Sequence, residues 1–120
     1  MSVAALQYDK FKKQVAKQGK VFTFTVNGEY LVFPIHKHEV MPFWSSRRRM
    51  ASVQKLHSQY QKYKISEMCL DEFFRWLPKL AEAGIHIGAN WSGERLVGYD
   101  VSSQDLRAGI EYWINQDQEC

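Results

Sequence analysis

Two stretches of the chain place a tryptophan directly before a serine, with arginine a few residues on. They read Pro42-Phe43-Trp44-Ser45-Ser46-Arg47-Arg48-Arg49 and Asn90-Trp91-Ser92-Gly93-Glu94-Arg95. An indole offers a flat apolar wall, a hydroxyl an orienting hydrogen bond, and a guanidinium a fork of donors for a carboxylate or phosphate. Together they point to a site for a flat or anionic ligand, with Trp44, Ser45, Ser46, Arg47, Asn90, Trp91, Ser92 and Arg95 as its candidate residues. In the first stretch Ser45 or Ser46 would cap a helix, and the arginines fill its first turn. Positive charge is unfavourable there, so a bound anion, or an acid of the chain such as Glu39, would compensate. Successive helical residues fan around the axis. The three arginines therefore cannot share one ligand, and Arg47 is preferred by analogy with Arg95. Each stretch also has a purely structural reading. The first is a capped helix with a solvated basic start. The second is a tryptophan lid beside a turn tightened by Gly93, with Glu94 free to pair with an arginine of the first.

Other chemistries find less support. His36-Lys37-His38 would project both imidazoles to one side of an extended segment. A stable metal site needs three or four ligands, however, and His57, His86 and Cys69 lie at no recognisable spacing. No metal and no cofactor is expected. There is no Gly-x-Ser-x-Gly nucleophile elbow, and Gly84-x-x-x-Gly88 lacks the Lys and Ser or Thr of a phosphate loop. No catalytic residue is assigned. In an unrecognised enzyme site Asp100, at a strand end, or a histidine would do the proton transfer. Cys69, between Met68 and Leu70, reads as a small buried residue. Phe22, Phe24, Tyr30 and Phe33 near three arginines resemble a stacking platform for single-stranded nucleic acid. Alternating aromatics on a hairpin are more often one core face.

The elements that must position these residues can be read in order. Ser2 would cap a helix to about Gln18, with Leu6, Tyr8, Phe11 and Val15 as its apolar stripe and Gly19 as its stop. Val21–Val26 and Glu29–Phe33 alternate around Asn27-Gly28, the strongest short-range hairpin signal. Pro34 ends the second strand or marks a sheet edge. Glu39–Phe43 reads as a third strand, followed by a helix over about Arg47–Tyr60 with Met50, Val53 and Leu56 on one face. Tyr63–Met68 reads as a short extended segment. A helix over about Leu70–Ala83 buries Phe73, Phe74, Trp76, Leu77 and Leu80, with a kink or break at Pro78. Ile85–Trp91 and Leu96–Val101 form a second hairpin. Ser102, with Asp105 three residues on, opens a last helix to about Gln116. The expectation is an α+β fold: a mostly antiparallel sheet of about five strands in two hairpins, packed with about four helices that can all lie on one face.

Length and composition bound the reading. The chain has 120 residues, 45% hydrophobic and 24% charged, which predicts a single globular domain over residues 1–120. A net charge of +3 is too small to make nucleic acid a partner on that ground. Two cysteines, Cys69 and Cys120, do not make a disulfide framework, which favours a reducing cytoplasm. No signal peptide and no membrane span is legible, so a membrane is not an expected partner.

Met41-Pro42-Phe43-Trp44-Ser45-Ser46-Arg47, then Asp71-Glu72-Phe73 with Trp76-Leu77-Pro78, then Gly88-Ala89-Asn90-Trp91-Ser92-Gly93 and Gly98-Tyr99-Asp100, resemble the family catalogued as domain-of-unknown-function 2750. The resemblance runs from Tyr8 to about Leu106. It implies a single bacterial domain and assigns no catalytic residue. The family's pattern is similar at Trp44, Ser45, Trp91, Ser92 and Gly93. The sequence thus favours a non-catalytic cytoplasmic binding module for a protein partner or a small anionic ligand. The alternatives are a small enzyme and single-stranded nucleic-acid binding. A shared site requires Trp44, Arg47, Trp91 and Arg95 to meet around one exposed cavity.

Overall fold

A computed structural model of the chain describes residues 3–35, 37–93 and 96–118. Helix α1 (Val3–Gln18) is followed by strands β1 (Lys20–Val26), β2 (Glu29–Tyr30), β3 (Phe33–Ile35) and β4 (His38–Phe43). Helix α2 (Arg47–Leu56), a short 3-10 turn (Ser58–Tyr60), strand β5 (Lys64–Cys69) and helix α3 (Leu70–Glu82) come next. Strands β6 (Ile85–Ser92) and β7 (Val97–Val101) and helix α4 (Ser103–Gln118) complete the order. The expected cap of α1, Ser2, lies outside the described residues. The fold is α+β with four α-helices, but it has seven strands rather than five, in two sheets ordered β2-β1-β5 and β3-β4-β6-β7.

Two local causes raise the strand count. Asn27 and Gly28 both take positive φ, 53° and 82°, and close the expected two-residue turn. The strand after that turn then divides. Tyr30 pairs with Thr25 of β1, while Phe33–Ile35 pairs with β4 in the other sheet. Pro34, which has no N–H to donate, sits there on an edge strand. The segment read as merely extended, β5, pairs with β1 from Lys20↔Cys69 to Thr25↔Lys64. Alternation along it turns Met68 inward and Cys69 outward. Cys69 is therefore an exposed free thiol rather than the buried residue expected.

One pairing departs from the antiparallel rule. Strands β4 and β6 run parallel, in register from Glu39↔Ile85 to Phe43↔Ala89. Their parallel direction brings the two Trp-Ser segments to the same end of one sheet. The α2–β5–α3 segment makes the crossover that parallel strands require.

The core has two compartments. Phe11, Val15, Met41, Phe43, Phe73, Leu77, Ile87, Leu106 and Ile110 fill one, supplied largely by α1, α3, α4 and one face of the four-stranded sheet. Phe22, Phe24, Val40, Trp44, Met50, Val53, Tyr60 and Trp91 fill the other, where α2 packs. The helices therefore do not share one face. Pro78 lies inside α3 without ending it. No helix among the described residues is long and apolar enough to cross a membrane.

Candidate functional site

Alternation along β6 would put Ile87, Ala89 and Trp91 on one face. Instead Ile87 and Ala89 belong to the first compartment and Trp91 to the second. The reason is an irregularity between Ala89 and Ser92, where the β6–β7 register shifts and Asn90 takes φ 52°. An extra residue in one strand re-aims the side chain that follows it. The Trp91 indole crosses Gly88 and Gly98: a Cβ on either would stand 2.5 Å or 2.6 Å from its ring atoms. Its Nε1 donates to Tyr99 O at 3.2 Å.

The same irregularity points Asn90 at the end of β4. Ser45 N donates to Asn90 Oδ1 at 2.9 Å, and Asn90 Nδ2 donates to Ser45 Oγ at 3.1 Å. Trp44 Nε1 donates to Trp91 O at 2.8 Å. The two Trp-Ser segments therefore meet, but they meet inside the protein. Trp44 is 1% exposed, Ser45 and Asn90 0%, and Trp91 4%.

A stripe of glutamines on α1 closes this junction. Gln7, Phe11, Gln14 and Gln18 recur at helical spacing on one face. Gln7 O accepts from Asn90 Nδ2 at 3.3 Å, Ser45 Oγ donates to Gln14 Oε1, and Gln18 Nε2 donates to Ser45 O. The sequence reading missed these glutamines. Gln14 and Gln18 carried a signal, two amides one turn apart near core Phe11, whereas Gln7 meets Asn90 through its backbone carbonyl, which no side chain announces.

The three arginines diverge, as helix geometry dictates. Arg47 lies over the Phe22 ring at 5.3 Å and 3.8 Å from Glu67 Oε1. Ser46 caps α2, its Oγ accepting from Arg49 N at 3.2 Å. Arg49, not Arg47, reaches the junction, where its Nη1 donates to Gln7 Oε1 at 2.6 Å. A cleft of about 200 Å³ opens there, lined by Gln7, Arg49, Ser52, Leu56, Trp91 and Ser92 among others. Burial pushes the Arg49 guanidinium below its usual value, and among the described residues no carboxylate lies within ion-pair distance of it. His57 Nε2 stands 2.9 Å from Gly93 O, so that nitrogen is the donor of the pair. Glu94 and Arg95 lie outside the described residues.

The remaining candidates fall elsewhere. The His38 and His86 rings stack with centroids 4.1 Å apart; His36 is outside the described residues. No cluster of three or more His, Cys, Asp or Glu suited to a metal occurs among the described residues. Phe22 and Phe24 are core residues and present no face to a nucleobase. Asp100 is exposed opposite Gly88.

These features define an α+β protein whose two sheets meet at a buried Trp-Ser/Asn-Trp junction with a small basic cleft above it. The chain belongs to the family described as "Protein of unknown function (DUF2750)", whose model matches residues 8–110. Comparison with curated proteins finds no match.

Proposed function

We propose that the protein is a non-catalytic binding module of the bacterial cytoplasm, and that it takes a carboxylate or phosphate of a protein partner or small ligand in the Arg49 cleft. The observation that carries this reading is Arg49 itself. A half-buried guanidinium held by a neutral amide, with no acidic partner among the described residues, is a desolvated cation whose interaction with an anion is stronger than at an open surface. The cleft lies beyond the carboxyl ends of parallel strands β4 and β6. Ser52 and Ser92 supply hydroxyls to orient the anion. Trp91, Val53 and Leu56 supply the apolar wall. In this reading Trp44, Ser45, Ser46 and Asn90 position the cleft from beneath, and Arg47 stands outside it. Exposed Leu6 and Val3 of α1, on the helix that carries Gln7, favour a protein-borne anion. Low cysteine usage favours the cytoplasm.

The test is affinity capture from bacterial lysate by the intact chain, with mass spectrometry of captured proteins and small molecules. Wild type should retain a species that Arg49→Ala loses by about tenfold or more, with its thermal melt showing an intact fold. Equal capture by folded Arg49→Ala overturns the reading.

A further inference from the structure

The charge of the chain is unevenly placed. Helix α1 carries Lys10, Lys12, Lys13 and Lys17, and α2 carries Arg47, Arg48, Arg49 and Lys55, against one acid, Asp9. The whole chain has 16 Lys and Arg and 13 Asp and Glu, so the rest of it is net acidic. Two of these cations are paired within the chain, Lys12 with Asp9 and Arg47 with Glu67. The others have no carboxylate within ion-pair distance among the described residues.

The solvent face of α1 is ordered. Val3, Leu6, Lys10, Lys13 and Lys17 follow one another at alternate spacings of three and four residues. That spacing sets them on one stripe, opposite the buried Phe11 and Val15, and all five are exposed. The first two are apolar and the last three basic; the Lys13 ammonium also lies 4.6 Å from the Trp113 ring centre. Val3 and Leu6 flank Gln7 on the helix, and Gln7 lines the Arg49 cleft together with Leu56 of α2. Val3, Leu6 and Leu56 are 70%, 46% and 56% exposed, three of the five large hydrophobics exposed among the described residues. Apolar residues exposed singly need no explanation, but three gathered at one cleft mark a contact surface.

We propose that this face docks an acidic amphipathic helix of a partner protein. The proposal rests on the Arg49 reading for one contact, a carboxylate in the cleft, and names the kind of partner that carries it. The helix sets its apolar residues on Val3, Leu6 and Leu56 and further carboxylates along Lys10, Lys13 and Lys17. A helix fits because a seam of three- and four-residue spacing matches the seam of another helix. Charge complementarity sets the sign of the occupant. A lipid surface fits less well, since the apolar residues ring a concavity instead of forming an edge that can insert. Nucleic acid fits less well too, because Val and Leu offer bases no stacking surface, and the exposed Tyr99 and Tyr112 lie on β7 and α4.

The test is an amide NMR titration of the intact chain with a synthetic helix of about four turns, bearing Leu along one half of a face and Glu along the other. Two control helices replace every Glu by Lys or every Leu by Gln. Phosphatidylglycerol vesicles and a single-stranded oligonucleotide are titrated alongside. The Leu-Glu helix should shift α1 and α2 amides saturably, and added salt should weaken it. Lys10→Gln, Lys13→Gln and Lys17→Gln together remove three exposed pairs, should leave the melt unchanged, and should weaken binding about tenfold. Leu6→Asn should weaken it several-fold. Arg49→Ala separates the two readings. If it abolishes binding while the lysine variant binds as wild type, the cleft stands and the docking face falls; the reverse result keeps the face and removes the cleft. The proposal is overturned if the Leu-Glu helix gives no saturable shift, or if either control helix binds equally well. It is also overturned if vesicles or oligonucleotide bind more tightly. Shifts of the same amides with protein concentration alone overturn it as well, because the occupant is then a second copy of the chain.

Discussion

The indole of Trp44 donates its hydrogen bond to the backbone carbonyl of Trp91, 47 residues away, at 2.8 Å. This bond ties the C-terminal ends of two parallel strands and lies among four residues that are almost wholly buried. The two tryptophans share a physical reason, and the serines that follow them do not. Each tryptophan fills the compartment under α2, and each neighbouring polar residue faces α1 or the surface. At the first segment Ser45 faces α1. At the second, Asn90 takes that place and Ser92 reaches the cleft.

Asn90 should be the most sensitive polar residue of the junction. Replacement by Ala leaves the buried Ser45 N–H without its partner and forces a Cβ without a compensating side chain into positive φ. Asn90→Ala should lose about 2–4 kcal/mol in urea denaturation. Asn90→Gly, which accepts positive φ, should lose less. An equal loss in both would show that backbone strain contributes nothing there.

Gly88 and Gly98 should each resist even a methyl group. Gly88→Ala and Gly98→Ala both drive a Cβ into the Trp91 ring, and overpacking of this kind costs about 1–3 kcal/mol. The single variants should be destabilised by that amount. With Trp91→Ala in the background the added cost should shrink, because the ring that the methyl meets is gone. A double-mutant cycle measures this directly.

Stability should fall at alkaline pH through Tyr8. Burial, then the charges of Asp105 and Asp9, push its phenol up from 10.0 to about 12. The folded state thus favours the protonated phenol more than the unfolded chain does. That contribution is complete below pH 10 and is lost as pH rises from 10 towards 12. Tyr60 is raised as well and adds in the same direction. The melting temperature of wild type should therefore drop across this window. Tyr8→Phe should flatten the drop, and an identical slope in Tyr8→Phe would assign it to other groups.

Much of the fold is legible because local chemistry and burial agree. Asn27-Gly28 fixes the first hairpin, Gly19 and Gly84 end helices, and the apolar spacing of Phe73, Leu77 and Leu80 marks α3. The parallel β4–β6 pair is not legible, since nothing in either strand says which neighbour it will take. The division of Glu29–Phe33 between sheets is hidden for the same reason, as a strand pattern reports burial and not its partner. At the site, the meeting of the two segments was a condition that the sequence could only pose. The choice of Arg49 over Arg47 depends on the helix phase set by Met50 and Val53. A residue one before Met50 turns toward α1, and one two further back turns toward β5. Gln7 and Gln14 were passed over because a lone glutamine on a helix is ordinarily a solvent-facing residue.

The two sheets touch through one backbone bridge among the described residues. Phe22 N donates to Trp44 O at 2.9 Å and Trp44 N to Phe22 O at 2.7 Å. Trp44 thus serves as a latch through its backbone and as a strut through its indole, so the sheets cannot part without disturbing the floor of the Arg49 cleft. Parting of the sheets and displacement of the Trp91 wall of that cleft become a single event. The exchange rates of the Phe22 and Trp44 amides would act as its clock: a ligand seated above should slow both together, while leaving the far strands of each sheet to keep their own time.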